Sequence, residues 1–212
     1  GRQRSAQRTV FKLANTALEI VKSYKYLGVT LSSNGTWKLH DREMSCKANK
    51  ATFGINTALK RLDAVFELPI QRRLFFAQIL PILMYGSEIS GLCNTDLRFK
   101  SLLRHVKNAL CVRRSTRSSV VLAEAGYLPF AAYAQERVLK FFLQLQAATA
   151  APSLDFHIHA FIEQCNMAED GLNCWGRDVL LLLDSLNLLR LWRQPTQYSR
   201  AIADASSAIT TH

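Results

Sequence analysis

Lys100, Arg104 and Lys107 are spaced i, i+4 and i+7, and Arg113, Arg114 and Arg117 follow within the next ten residues. On a helix that spacing puts three cations on one face. Backed by an apolar stripe, such a face sits on a core and meets phosphates at once. Arginine adds a two-pronged donor geometry for phosphate oxygens that lysine lacks. Lys47 and Lys50 form a second basic set. The competing reading is a helix face that is merely solvated.

Other chemistries find less support. Two-metal phosphoryl transfer needs carboxylates that hold both ions a few ångströms apart, and no two aspartates are adjacent in the sequence. Glu169-Asp170 precedes Gly171 and reads as a helix-terminating turn. Ser87 in Tyr85-Gly86-Ser87-Glu88 lacks the second glycine of a nucleophile elbow and reads as a buried or capping serine. Neither common Gly-rich phosphate loop occurs. His157, His159, Cys165 and Cys174 lie close in sequence. On a helix, though, the two histidines at i and i+2 point to nearly opposite sides, and no CxxC accompanies them. The expectation is no catalytic residue, no metal site and no cofactor in this chain.

Charge asymmetry points to the partner. Residues 1–117 hold 21 Lys+Arg against 7 Asp+Glu, whereas residues 118–212 hold 6 against 9. The positive half seeks a polyanion, with nucleic acid as the first candidate and an anionic membrane surface as the second, and the expected partner is nucleic acid and no membrane. Five cysteines at irregular spacings, with no signal peptide before them, suit reduced thiols in the cytosol or nucleus. Gly1 opens a basic stretch that leads into a strand, so the chain is expected to be a piece of something longer.

These residues need elements to hold them. Residues 9–33 carry β-branched and aromatic residues in short runs, with Asn15-Thr16 as a turn, which predicts two or three antiparallel strands. Tyr24 and Tyr26 then share one side of a strand, either as core packing or facing a ligand. Ser33-Asn34-Gly35 is a turn. Beyond it the period becomes 3.6: Met44, Ala48, Ala51, Ile55, Leu59 and Leu62 mark one face of a helix from about Asp41 to Val65. Pro69 to Gly91 predicts a buried central helix, bent at Pro81, with Gly86 allowing close backbone approach. Its apolar run is too short for a bilayer.

Asn94-Thr95-Asp96 caps the basic helix, whose Phe99, Leu102, Leu103, Val106 and Leu110 predict its apolar face. A short helix runs from Ser118 to a stop at Gly126, and another from Phe130 to Ala148. Thr149 to Ser153 reads as a linker into a helical subdomain with helices at Phe156 to Met167 and Arg177 to Trp192. The last residues read as a frayed tail. The predicted class is mainly α with a small N-terminal antiparallel β region. Its expected divisions are 1–36 (β region), 37–148 (helical bundle), 149–202 (C-terminal helical subdomain) and 203–212 (disordered tail).

Three segments, in this order, carry a resemblance: Leu18 to Val29 with its Tyr26-Leu27-Gly28, then Asn34-Gly35-Thr36-Trp37, and Ile79 to Ile89. Leu110-Cys111-Val112 through Ser115-Thr116, Glu124 to Pro129, Trp175, and Leu188 to Trp192 continue it. Together they resemble the C-terminal part of non-LTR (LINE-type) retrotransposon reverse transcriptases over most of residues 9–193. The chain departs from that pattern at Ser90, where the family usually has tryptophan.

The resemblance implies an RNA-directed DNA polymerase whose catalytic aspartates, and the Mg2+ they hold, belong to an upstream palm outside this chain. It implies that residues 1–36 end the palm, with Tyr26, Leu27 and Gly28 near the primer end, and that 37–148 form a thumb gripping RNA, DNA or an RNA–DNA hybrid. Missing fingers and palm would then be partners too. The rival expectation is a helical protein-interaction module without a nucleic-acid role.

Overall fold

The computed structural model describes residues 12–14, 16–61, 68–93, 96–149, 156–193 and 198–211. They are mostly helical with a small antiparallel β region at the N-terminus, the predicted class. β1 (Lys12–Leu13) pairs with β2 (Thr16–Ala17), and β3 (Ser23–Tyr26) pairs with β4 (Val29–Ser32). Asn15 of the expected first turn lies outside the described residues. After β4, Gly35 adopts φ +69° and Asn34 Oδ1 accepts from the Thr36 backbone N–H at 3.1 Å, which turns the chain into α1 (Lys38–Arg61). Met44, Ala48, Ile55 and Leu59 are buried along α1 as their spacing predicts. Residues 62–65 of the expected helix fall outside the described ones.

The central apolar stretch differs from a single bent helix. It runs as α2 (Leu68–Leu74), a π-helical turn over Phe75–Ile79, and α3 (Leu80–Leu83). Proline at 81 has no N–H and its ring crowds the preceding turn. A widened turn just before it is one way a helix absorbs that clash. The helix then breaks at Gly86, φ +71°, before the short α4 (Ser87–Ser90). Gly86 makes room for a side chain rather than a backbone, since a Cβ there would stand 2.9 Å from His40 Nε2. Phe75, Ile79 and Leu83 are fully buried, so the stretch is central as expected.

α5 (Asp96–Ala109), α6 (Ser118–Ala125) and α7 (Phe130–Ala148) follow. Asn94 and Thr95 of the expected cap are outside the described residues. α6 ends at Gly126, φ +67°, and α7 keeps its predicted limits. α8 (Phe156–Glu169) closes at the Asp170-Gly171 turn. α9 (Trp175–Ser185) is shorter than expected. Asn187 takes φ +56° and the Leu188 N–H bonds back to the Leu183 carbonyl at 2.7 Å, a left-handed stop that interrupts the leucine run before α10 (Arg190–Arg193).

The expectation of a disordered tail is corrected, because 203–211 belong to α11 (Tyr198–Thr211). α11 packs on α7, burying Ala201 and Ile209, and Ser206 Oγ donates to Glu136 Oε1 at 3.2 Å. Two apolar clusters result. The first joins α1, the central stretch, α5, α6 and the start of α7 through Phe130 and Ala134. The second joins the rest of α7 through Val138, Leu139, Phe142 and Leu143 to α8, α9, α10 and α11. The division therefore runs along α7; of the expected Thr149 to Ser153 linker, Thr149 caps the end of α7 and 150–153 lie outside the described residues. No helix among the described residues is long and apolar enough to cross a membrane.

Candidate nucleic-acid interface

The orientation of α5 decides where its cations go. Its buried side is Arg98, Ser101, Leu102, His105, Val106 and Ala109, spaced i, i+3, i+4, i+7, i+8 and i+11. Phe99, Leu103 and Leu110, placed on the apolar face by sequence reasoning, are half-buried. The helix is thus turned relative to its apolar stripe, and a buried arginine turns it. Arg98 is 1% exposed and forms a salt bridge with Asp41 of α1 at 2.6 Å. It also donates to the Leu83 carbonyl at 2.9 Å and to Ser90 Oγ at 3.1 Å. Burial raises the Asp41 carboxyl pKa against the pull of the guanidinium beside it. A buried charge is tolerable only when paired and hydrogen-bonded in this way.

A second connection runs through the same turn. His40 Nε2 lies 3.0 Å from the Tyr85 carbonyl and the Thr30 N–H points at His40 Nδ1 at 3.4 Å. That pair of contacts suits the tautomer with its proton on Nε2, and burial lowers the histidine pKa against the Tyr85 carbonyl, which raises it. The Tyr85 hydroxyl donates to the Leu27 carbonyl. Trp175 Nε1–H donates to the Glu88 carbonyl at 3.0 Å, and Glu88 pairs with Arg137 at 2.7 Å. The turn at 83–90 therefore ties β3–β4, α1, α5, α7 and α9 together.

On the far side of α5, Lys100 and Arg104 are exposed and Lys107 is half-buried. With Leu103, Asn108 and Arg114 they line one concavity of about 210 Å³. The Lys107 ammonium donates to the Arg114 carbonyl at 2.7 Å, which draws the 110–117 connection onto the helix. Arg113 and Arg117 are exposed on that connection and do not line the concavity. Lys47 and Lys50 stand exposed on α1, also outside it. Asn108 was not singled out by its type, although its position four residues after Arg104 puts it on the cationic face.

Tyr26, Leu27 and Gly28 form the tip of the β3–β4 hairpin, with Leu27 at φ +45° and Gly28 at φ +83°. Core packing of Tyr24 and Tyr26 is overturned, since they are 60% and 59% exposed. The register explains it. Tyr24 faces Leu31 and Tyr26 faces Val29, while Lys25 and Thr30 occupy the other side, where Lys25 pairs with Glu43 of α1 at 3.0 Å. The hairpin lays its polar side on α1 and turns tyrosines and Leu31 outward.

The remaining groups hold no metal constellation among the described residues. His157 and His159 are exposed on α8, and Cys174 Sγ lies 3.6 Å from the Gln164 carbonyl. Burial, helped by Glu169, pushes the Cys165 thiol up to about 11. Glu169 accepts from the Trp192 indole at 3.1 Å and Asp41 is held by Arg98, so neither suits a two-metal pair. Ser87 is fully buried, not a displayed nucleophile. No protein-family model matches the chain, and neither a curated protein nor a solved structure is significantly similar to it.

Proposed function

We propose that the chain is the palm-end, thumb and following helical segment of a LINE-type reverse transcriptase, and that it binds the backbone of template–primer nucleic acid through α5 and the 110–117 connection. The observation that carries this reading is the concavity where Lys100, Arg104, Lys107 and Arg114 converge on the outer side of a helix anchored from within by Arg98. Duplex recognition without sequence preference is mostly backbone electrostatics plus groove shape, so cations on a rigid helix suffice. The tip of β3–β4, with Tyr26, Leu27 and Gly28, would stand near the primer end. Polymerisation and its Mg2+ would be supplied by the upstream palm, not by this chain.

The test is charge reversal. Lys100→Glu, Arg104→Glu and Lys107→Glu together should weaken binding of an RNA–DNA hybrid. They should also flatten its dependence on salt by about 0.9 in log-log slope for each phosphate no longer neutralised. Unchanged affinity in a folded triple variant sinks the assignment.

A protein-interaction module is the second reading, and the outward face of Tyr24, Tyr26 and Leu31 favours it, because exposed apolar residues clustered on one face mark contact surfaces. Light scattering separates the two. A well-behaved monomer without nucleic-acid affinity favours the module, and aggregation relieved by an upstream fingers–palm region favours the polymerase piece.

A further inference from the structure

Lys107 differs from its neighbours on the cationic stripe. Its ammonium is already engaged by the Arg114 carbonyl at 2.7 Å, whereas Lys100 and Arg104 are exposed. Arg114 sits in a connection with no helix or strand, held to α5 by the Val112 N–H on the Lys107 carbonyl at 3.1 Å and by this lysine. Ordering a long side chain at an interface costs binding free energy, so a loop tied in advance lowers that cost. The concavity so formed has Leu103 in its lining, Asn108 as an amide donor, and room of about 210 Å³. That space accommodates one phosphodiester group.

We propose that the concavity seats a single backbone phosphate, contacted by Lys100, Arg104, Asn108 and Arg114, with Lys107 as a positioning residue that holds Arg114 in place. The assignment rests on the nucleic-acid reading above and sharpens it. Cations converging on one phosphate release one phosphate's counterions between them, whereas cations on separate phosphates release them independently. The salt dependence of binding therefore counts phosphates, not arginines.

The test uses the full chain and a fluorescein-labelled RNA–DNA hybrid, with anisotropy titrations across a salt series. Arg104→Gln, Arg114→Gln and their double variant are compared, and Lys107→Met is made alone and with Arg114→Gln. The double arginine variant should lose no more than about 0.9 of log-log slope. Lys107→Met should weaken binding in the parent but add nothing once Arg114 is gone. A loss of about 1.8 in the arginine pair, unchanged affinity in that pair, or additive effects of Lys107→Met and Arg114→Gln overturns the single-phosphate seat and leaves nucleic-acid binding standing. A parent chain with no affinity for the hybrid at low salt overturns both. Retained far-UV helical signal establishes folding, and the arginine pair decides alone if Lys107→Met does not fold.

Discussion

The two apolar clusters are built on different terms. Around the first, buried polar and charged groups collect: Asp41, Arg98, His40, Gln71, Ser90 and His105 among them, every one at or before residue 105. In the second, which α7 shares with α8, α9, α10 and α11, the buried residues among the described ones are apolar. Buried ion pairs add little net stability, because desolvation offsets their attraction, but a broken one is costly. The polar cluster orients. Arg98 determines which side of α5 is buried and hence which side carries Lys100 and Arg104. The apolar cluster fills space and braces α7 through contacts such as the Phe142–Trp192 stack at 5.4 Å.

Breaking the ion pair tests that contrast most severely. Arg98→Met strands Asp41 in a buried site and is expected to cost about 3–5 kcal/mol in denaturant unfolding. Adding Asp41→Leu should recover most of that stability, since an apolar pair can replace a buried ionic one. Hybrid affinity should stay reduced, because α5 then lacks the group that orients it. Recovery of both would make the pair a stability element and nothing more.

In the apolar cluster the expected pattern reverses. Leu183, fully buried on α9, gives up its packing in Leu183→Ala at a cost of about 3 kcal/mol. Calorimetry should report the lower stability while hybrid affinity at temperatures where the variant is folded stays at the parent value.

A pH titration of unfolding separates the clusters by about 2 kcal/mol. His105 stacks on Phe75 at 5.1 Å, and burial lowers it to about 4. Its folded pKa lies below the unfolded value near 6.5, so the unfolded chain binds the extra proton between those values. The contribution is present above pH 6.5 and fades as pH falls towards 4. Stability should drop by about 2 kcal/mol from pH 7 to pH 5 on this account, and His105→Phe should remove that component. The smallest effect belongs to the surface of α7, where Lys140 pairs with Glu136 at i, i+4 and 2.6 Å. Lys140→Ala is expected to cost under about 1 kcal/mol by chemical denaturation.

What could be read in advance follows from how local each cause is. α6 and α7 are legible to within a residue because Ser118, Gly126 and Pro129 are local punctuation. The stop at Asn187 is hidden because leucines continue on both sides of it. α11 is hidden because serine, alanine and threonine read as a polar tail until α7 is there to receive Ala201 and Ile209. The cationic stripe is legible from spacing alone. The rotation of α5 is not, since it depends on Asp41, 57 residues from Arg98, and a lone arginine on a helix reads as surface. Nor is the concavity, which needs Arg114 beside α5, where bonds at Lys107 and Val112 hold the connection.

The most direct measurement is amide hydrogen exchange of the chain, free and bound to an RNA–DNA hybrid at low salt. Binding through the polar-cluster side should slow exchange across Lys100 to Arg117 while leaving Trp175–Ser185 of α9 unchanged. Protection confined to α8 and α9, or no protection anywhere at saturating hybrid, would contradict it.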